Sequence, residues 1–357
     1  MNRKTGLLLL LGLTASAMAV NIDDKLFIGG YTSFEFAKML NDEGKGDKNG
    51  SFDADGADLV IAYQQTDRVR IAMDLNWEHG AATESGLGNV GFEYVYPEYR
   101  VFDWLKLRGG KMFTPFGIYN EIHTAKPAYL TIKEAYSTGK IEKMGSDERF
   151  YPRWITGVEV TGDVEVGANN LNYAAFVGNG DQADAGLNIF EEDNDKNKAV
   201  GGRVLFSTMG GMVIGSSIYF DTKRSYEIPD GEEDPVEVSK ENILSVGGQA
   251  TIPVLGASIE LEGIYGQYGD LNRFGGSAMV SYLLKERYTP YIRWESHDPD
   301  LDTEDDIAQQ VIYGVNTRLD GNLFLKLEMG MVISNEGNSR FKGVDYTEFK
   351  AAFVAGF

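Results

Sequence analysis

The stretch Arg68-Val-Arg-Ile-Ala-Met-Asp-Leu-Asn-Trp-Glu78 decides the fold class of this chain, because its side chains change between polar and apolar at almost every residue. Successive side chains of a β-strand point to opposite faces of the sheet, so a period of two predicts a strand with one apolar and one polar face. The polar face carries charged and amide side chains. The apolar face carries Val69, Ile71, Met73, Leu75 and Trp77.

The same alternation recurs along the chain, most clearly over 257–265 and 323–331, and it predicts an all-β protein. Turn-forming pairs such as Thr66-Asp67 and Asp320-Gly321 separate alternating segments and favour tight hairpins. We predict sixteen strands, with eighteen as the alternative count, at about residues 25–36, 57–65, 68–78, 90–97, 104–111, 154–161, 170–178, 198–207, 212–221, 242–252, 257–267, 274–284, 288–296, 309–318, 322–332 and 344–357.

Alternation alone fits a soluble β-sandwich as well as a membrane barrel, because both bury one face of each strand. Two features favour the barrel. The connections alternate between short and long, and aromatic residues stand near strand ends, as the two lipid–water interfaces of a barrel require. We therefore predict a closed, antiparallel, transmembrane β-barrel. The aromatic residues concerned are Trp77, Tyr94, Tyr96, Tyr265, Tyr282, Tyr288 and Trp294.

The first nineteen residues have the pattern of an export signal. Arg3 and Lys4 precede an apolar segment over 6–12, and Ala17-Met18-Ala19 supplies a small-x-small cleavage site. The alternative is a membrane anchor, but the apolar segment is shorter than the ~20 residues that cross a bilayer. We expect cleavage after Ala19, which leaves 20–357 as a single barrel domain.

Composition excludes several classes of function. The formal net charge of −21 argues against a nucleic-acid partner, whose phosphates require a basic surface. The chain has no cysteine, and His79, His123 and His297 are scattered, so we predict no zinc site and no disulfide. Nucleotide-binding and hydrolase motifs do not occur. We therefore predict neither a cofactor nor an enzyme.

One acidic segment resembles the start of a calcium loop. Residues 298–302 read Asp-Pro-Asp-Leu-Asp, but Thr303 and Gln309 stand where an EF-hand needs Gly and Glu. An EF-hand is therefore rejected. Weak divalent binding by Asp298, Asp300 and Asp302 stays open as an alternative.

The segment Gly110-Lys111-Met-Phe-Thr-Pro115-Phe116-Gly117 resembles the Gly-Lys-x-x-x-Pro-Phe-Gly element of bacterial outer-membrane porins of the phosphate-selective O and P type and related trimeric porins. The terminal Phe357 resembles the signal by which the barrel-assembly machinery recognises such proteins. The resemblance implies an outer-membrane homotrimer, in contact with lipid and lipopolysaccharide, that lets small hydrophilic solutes diffuse. Rival interpretations are a solute-specific phosphate or oxyanion channel of the same fold, and a barrel that carries an outer-membrane enzyme or adhesin.

The resemblance also implies that the connection after strand five, residues 112–153, folds into the barrel and narrows it. Its length agrees with a functional loop, since unstructured connections this long are uncommon otherwise. The alternatives are an external lid or a trimer contact. From strand parity and this loop we predict a pore lining or constriction formed by Arg70, Asp74, Lys106, Arg108, Pro115, Phe116, Glu121, Glu260, Glu262, Arg293, Glu295, Lys326 and Lys350.

The predicted lumen face mixes both signs of charge, whereas an oxyanion channel needs rows of Lys and Arg along the pore. Phosphate selectivity is therefore not carried over from the resemblance. Three predicted outer loops are strongly acidic, at 178–197, 221–241 and 297–308. These acids either form solvated loop tips or bind divalent cations and bias the channel mouth toward cations.

Overall fold

The protein is described by a computed structural model. The structure describes residues 20–21, 24–40, 49–78, 90–122, 125–146, 149–180, 197–227 and 236–357. The predicted signal segment, residues 1–19, lies outside the described residues, and so do His79 and His123. The signal therefore stays a prediction.

One antiparallel sheet closes on itself to form the barrel. Each strand pairs with its neighbour in sequence, and the last strand pairs with β2, from Glu348 opposite Met39 to Gly356 opposite Tyr31. The strands are β1 Val20–Asn21, β2 Leu26–Met39, β3 Ser51–Gln64, β4 Val69–Glu78, β5 Val90–Phe102, β6 Leu105–Phe113, β7 Trp154–Val166, β8 Asn169–Gly178, β9 Ala199–Ser207, β10 Val213–Glu227, β11 Val236–Val254, β12 Ala257–Tyr268, β13 Leu271–Tyr282, β14 Tyr288–Asp298, β15 Ala308–Asp320, β16 Leu323–Ser334 and β17 Tyr346–Gly356.

The two-residue β1 only pairs with β2, so the barrel consists of the sixteen strands β2 to β17. The predicted count of sixteen is confirmed. The alternation places polar side chains in the lumen and apolar side chains on the outer face, as a barrel in lipid requires. Along β4, Ala72, Asp74 and Asn76 are buried on the lumen side, whereas Ile71 is exposed on the outside. Hydrocarbon offers no hydrogen-bond partners. A sheet that crosses it must therefore close on itself, so that the backbone N–H and C=O groups of every strand are paired.

Short connections gather at one rim, which we call the turn end: 65–68, 103–104, 167–168, 208–212, 255–256, 283–287 and 321–322. The opposite rim, the loop end, carries longer connections, including 299–307 and 335–345. One connection there differs from the expected pattern. β12 and β13 are joined by residues 269–270 alone, because Gly269 adopts a φ of +58° and closes a tight turn.

β10 and β11 also differ from their predicted limits, 212–221 and 242–252. β10 reaches Glu227 and β11 begins at Val236, so this hairpin continues well past the predicted strand ends. The reason is compositional. Its distal part carries polar residues on both faces, such as Lys223 and Arg224 paired with Glu241 and Lys240, and the sequence pattern therefore resembled a loop.

The longest connection between described strands, residues 114–153, lies between β6 and β7 and is called the inner loop below. It contains three 3-10 helices, Asn120–Ile122, Lys126–Ala128 and Ile141–Lys143. Its side chains are mostly buried, and Phe116, Ile132 and Phe150 are almost fully enclosed. The expectation that the loop after the fifth barrel strand folds into the lumen is confirmed.

Among the described residues, no helix is long and apolar enough to span a membrane.

The assignment of faces can be tested on two adjacent strands. Ile218 on β10 is about half exposed on the outer surface, and we expect Ile218→Arg to lower the free energy of unfolding by ~2–4 kcal/mol, the cost of a cation facing lipid near the bilayer centre. Gln249 on β11 faces the lumen and pairs with Glu262 across the strands. Gln249→Arg, the matched control, should therefore cost much less. Denaturant unfolding in lipid vesicles measures both, and equal destabilisation would show that the faces are wrongly assigned.

Candidate functional site

The inner loop begins at the motif of residues 110–117, and its two glycines have specific steric roles. Gly110 has a φ of +140°, and a Cβ there would lie 2.4 Å from the carbonyl oxygen of Val95. Gly117 has a φ of +64°, and a Cβ there would lie 2.3 Å from Oε1 of Glu262. Only glycine fits positions that combine left-handed backbone with such close approach. The motif therefore turns the chain inward against the barrel wall.

Pro115 and Phe116 fix the direction of that turn. Both residues are buried, and the Phe116 ring stacks on Tyr151 at 4.1 Å between ring centroids. The backbone N–H of Gly117 then donates to Oγ of Ser217 on β10, at 3.2 Å. The start of the loop is thus packed across the lumen against β10, which lies in the part of the barrel wall away from β6.

Two carboxylates of β12 hold the first part of the inner loop. Oε1 of Glu262 accepts the backbone N–H of Ile118 at 2.7 Å, and Oε2 accepts the hydroxyl of Thr138 at 2.6 Å. Oε2 of Glu260 accepts the hydroxyl of Tyr119 at 2.9 Å. Glu260 and Glu262 therefore lie under the loop and act as its anchors.

Buried cations of the wall bind loop carbonyl oxygens. Nζ of Lys326 on β16 donates to the carbonyl oxygens of Lys126, Tyr129 and Thr131, at 2.7, 2.7 and 3.0 Å. Irregular backbone in a buried place needs such partners, and a charged donor makes the bonds stronger. Lys326 is fully enclosed as a result.

Arg293 on β14 has the same role further along the loop. Its guanidinium donates to Oγ1 of Thr131 at 2.9 Å and to the carbonyl oxygen of Lys133 at 3.1 Å. Its Nε donates to Oε1 of Glu295 at 2.7 Å, while Oε2 of Glu295 accepts the backbone N–H of Ser137 at 3.0 Å. Arg293 and Glu295 thus form a buried pair in which the guanidinium binds a loop carbonyl oxygen and the carboxylate binds a loop N–H group.

Four charges connect the inner loop to β2 and β3, and we call this group the loop tether: Glu35, Asp55, Lys126 and Lys133. Lys126 and Lys133 each contact both carboxylates. Nζ of Lys126 lies 3.0 Å from Oε1 of Glu35, and Nζ of Lys133 lies 2.9 Å from Oε2 of the same residue. The tether is largely buried, so removing one partner would leave an uncompensated charge.

The end of the inner loop is bound in the same way. Lys350 on β17 donates to the hydroxyl of Tyr136 at 3.1 Å and pairs with Glu348 at 2.7 Å. Arg273 on β13 donates to the carbonyl oxygen of Arg149. Glu121, predicted as a constriction residue, pairs with Arg203 on β9.

A second group of charged side chains lies on β3 to β7. Its guanidinium, Arg108, donates to Glu98 at 2.7 Å and to Glu159 at 3.0 Å. Asp74 and Glu93 lie near enough to Asp58 to act on it electrostatically. We call the acidic members the β3–β7 carboxylates: Asp58, Asp74, Glu93, Glu98 and Glu159.

The structure therefore divides the predicted pore residues into two sets. Glu260, Glu262, Arg293, Glu295 and Lys326 lie beneath the inner loop and hold it. Arg70, Asp74, Arg108 and Lys106 lie on β4 to β6 instead, with Nζ of Lys106 lying 3.8 Å from Asp163. The role of each in solute passage stays a prediction.

Sequence reasoning missed the loop tether. Asp55 was assigned to a loop because β3 was predicted to begin at residue 57, whereas it begins at Ser51. The alternation of polar residues over 51–58 was the available signal. Lys126 and Lys133 lie in an irregular segment, and no local sequence pattern identifies their partners on β2 and β3.

The alternative of divalent binding by Asp298, Asp300 and Asp302 together is not supported by their arrangement. Asp300 accepts bonds within its own turn, from the backbone N–H of Asp302 at 3.1 Å and the hydroxyl of Thr303 at 2.6 Å, and Asp302 is exposed. Within the described ranges no group of three or more His, Cys, Asp or Glu side chains is arranged to hold a metal ion. The ring of His297 packs edge-on against Phe150.

No family model matches the chain. A protein of Aquifex aeolicus, described as an uncharacterized protein, is 23% identical over 218 residues, which are 60% of this chain and 44% of that protein. The match thus spans less than half the length of that relative.

Solved structures show stronger similarity in fold. The anion-selective porin from Comamonas acidovorans has a TM-score of 0.64 at 10% identity, with 93% of this chain and 99% of that chain covered. OmpF of Salmonella typhi, in complex with daunomycin, has a TM-score of 0.64 at 11% identity, with 95% and 100% covered. OmpT of Vibrio cholerae in a trimer form has a TM-score of 0.55 at 12% identity, with 93% and 99% covered. The chain has the sixteen-stranded β-barrel fold of outer-membrane porins.

Proposed function

We propose that this protein is an outer-membrane porin through which small hydrophilic solutes and ions diffuse passively. The observation that carries the proposal is a sixteen-stranded barrel whose inner loop is fixed to the lumen wall by buried charges. Barrels of this strand number leave an aqueous lumen, and solute passage then depends on the width and lining charge of the lumen. Stepwise current increments from purified protein in a planar bilayer test the proposal, and a barrel that inserts without conducting would contradict it.

The similarity to barrel structures from outer membranes supports the same location for this chain, with lipid and lipopolysaccharide around the apolar outer face. The trimer form of Vibrio cholerae OmpT supports a homotrimer. Recognition of Phe357 by the assembly machinery and cleavage of the signal after Ala19 complete the proposed route. Native electrophoresis of the refolded mature chain tests the oligomeric state.

The lining favours a general diffusion channel over a phosphate or oxyanion channel. Arg293 and Lys326 bind loop carbonyl oxygens, and Arg108 binds two carboxylates, so these cations are already engaged by the protein. An oxyanion would have to displace those bonds. The β3–β7 carboxylates add negative charge to the wall, which opposes anion entry.

We expect the inner loop to set the size limit of the channel. Deleting residues 121–145 removes the segment that is bound by Lys326 and Arg293 and by the two wall carboxylates of the loop tether. Water can then solvate these four wall charges. The assembled deletion variant should show a higher single-channel conductance and admit larger sugars in vesicle swelling. An assembled variant with an unchanged conductance and size limit would eliminate the constriction role of the loop.

The loop tether provides a point substitution for the same question. Asp55→Asn keeps the side-chain shape but leaves Lys126 and Lys133 to share Glu35, so the two ammonium groups repel each other. Breaking a buried ion pair on one side costs ~3–5 kcal/mol, and we expect a lower thermal unfolding midpoint and larger current fluctuations.

The matched control for this substitution is Asp163→Asn. Asp163 is a wall carboxylate paired with Lys106 at 3.8 Å, but this pair is partly exposed and is therefore worth little. The control should leave both the midpoint and the current noise close to those of the unmodified protein. If the two variants behave alike, the tether does not hold the loop.

We also expect a mild cation preference that depends on salt. The acidic loop-end segments act over a Debye length of ~30 Å at 0.01 M salt but only ~3 Å at 1 M. Reversal potentials across KCl gradients should therefore show cation selectivity in dilute solution and little selectivity in concentrated solution. Persistent anion selectivity with current blocked by phosphate would instead support the oxyanion channel.

A further inference from the structure

Two carboxyl groups meet at the loop end of the barrel. Asp298 is the last residue of β14, and Asp306 lies in the connection 299–307 that follows it. Asp306 is 4% exposed. The Oδ1 atoms of both residues are buried and receive no hydrogen bond from any donor among the described residues. The carboxyl groups also lie within hydrogen-bond reach of each other, where two carboxylates can only accept.

Such a pair needs a positive partner at neutral pH. Burial and the negative charges of Asp298 and Asp300 raise the pKa of Asp306 to about 6. The charged groups that act on Asp306 are thus acidic. Within the described ranges neither Asp298 nor Asp306 forms a salt bridge, whereas Glu35 and Asp55 each do. A cation bound between the two carboxylates would relieve their repulsion and give their buried Oδ1 atoms the partner that they lack.

We propose that Asp298 and Asp306 form a divalent-cation site at the loop end of the channel. Hard cations such as Ca²⁺ take carboxylate, carbonyl and water oxygens in flexible numbers. Two carboxylates leave several coordination positions of the ion to water and to backbone oxygens. We therefore expect a dissociation constant of ~10⁻⁴–10⁻³ M, as in weak extracellular calcium modules. Asp306 here replaces Asp302, the residue that the sequence pattern had suggested.

The position of the site connects it to the inner loop. The carbonyl oxygen of Asp306 accepts from Nδ2 of Asn338 at 2.8 Å, and the same Nδ2 donates to the carbonyl oxygen of Met144 at 3.0 Å. Oγ of Ser339 donates to the carbonyl oxygen of Gly145 at 2.7 Å. Occupancy of the site would therefore stabilise the connection 299–307 together with the loop-end part of the inner loop.

Thermal unfolding of the purified full-length barrel in detergent, with CaCl₂ or with EDTA, tests the site independently of conductance. Millimolar CaCl₂ should raise the unfolding midpoint of the unmodified protein at pH 7.5 relative to the same protein in EDTA. Asp298→Asn and Asp306→Asn should abolish the shift. Without calcium these variants should unfold at or above the midpoint of the unmodified protein, because each substitution removes a repulsion.

Asp302→Asn is the control, since it removes the same charge from an exposed residue of the same connection. It should keep the calcium shift, and isothermal titration with CaCl₂ should give one site in the control and none in Asp306→Asn. A shift that survives in Asp306→Asn, or that is lost equally in Asp302→Asn, would overturn the proposal in favour of diffuse binding to acidic loops. No shift in the unmodified protein would also overturn it. None of these results depends on whether the barrel conducts solutes.

Discussion

The pairing of β17 with β2 is the interaction on which the rest of the structure depends. A strand in hydrocarbon cannot bond to water, so an open sheet edge would leave a row of N–H and C=O groups without partners. The register from Glu348 opposite Met39 to Gly356 opposite Tyr31 removes both edges at once. Reciprocal bonds between Phe357 and Gly30 extend the closure to the final residue. Once the sheet is closed, successive residues of each strand point alternately to the lumen and to the lipid.

Inside the lumen, the backbone N–H and C=O groups of the inner loop also need hydrogen-bond partners, because the loop has little regular structure. Its hydrogen bonds come from the wall: Lys326 and Arg293 donate to loop carbonyls, and Glu262 and Glu295 accept loop N–H groups. A wall of apolar side chains could not hold an irregular segment in this way, because each unsatisfied group would cost about 1–3 kcal/mol. The mixed charge of the lumen face is therefore in part the means by which the loop is held.

The sequence predicted the barrel better than the loop contacts for a physical reason. Alternation is local, so 68–78 alone reveals its faces, and most of the predicted strands coincide with observed ones. The errors fall where polarity no longer differs between faces, as in β10 near Lys223. The predicted lumen residues Glu262 and Lys326 were correctly placed on the inner face, but their partners lie more than a hundred residues away in sequence. No local pattern encodes which loop carbonyl a lysine will bind, and for the same reason Asp55 was missed.

The division of the wall charges also bears on selectivity. A charge that binds loop backbone is desolvated and cannot contact a solute without breaking those bonds, so Arg293 and Lys326 are not available to bind a passing anion directly. Among the β3–β7 carboxylates, Glu98 and Glu159 are paired with Arg108, which leaves Asp58, Asp74 and Glu93 outside that pairing. Strand parity gives a near balance of lumen charges, and the charges that hold the loop are also of both signs, since Glu262 and Glu295 accept loop N–H groups while Arg293 and Lys326 donate to loop carbonyl oxygens. The loop thus changes the electrostatics of the lumen by binding wall charges of both signs as well as by occupying space.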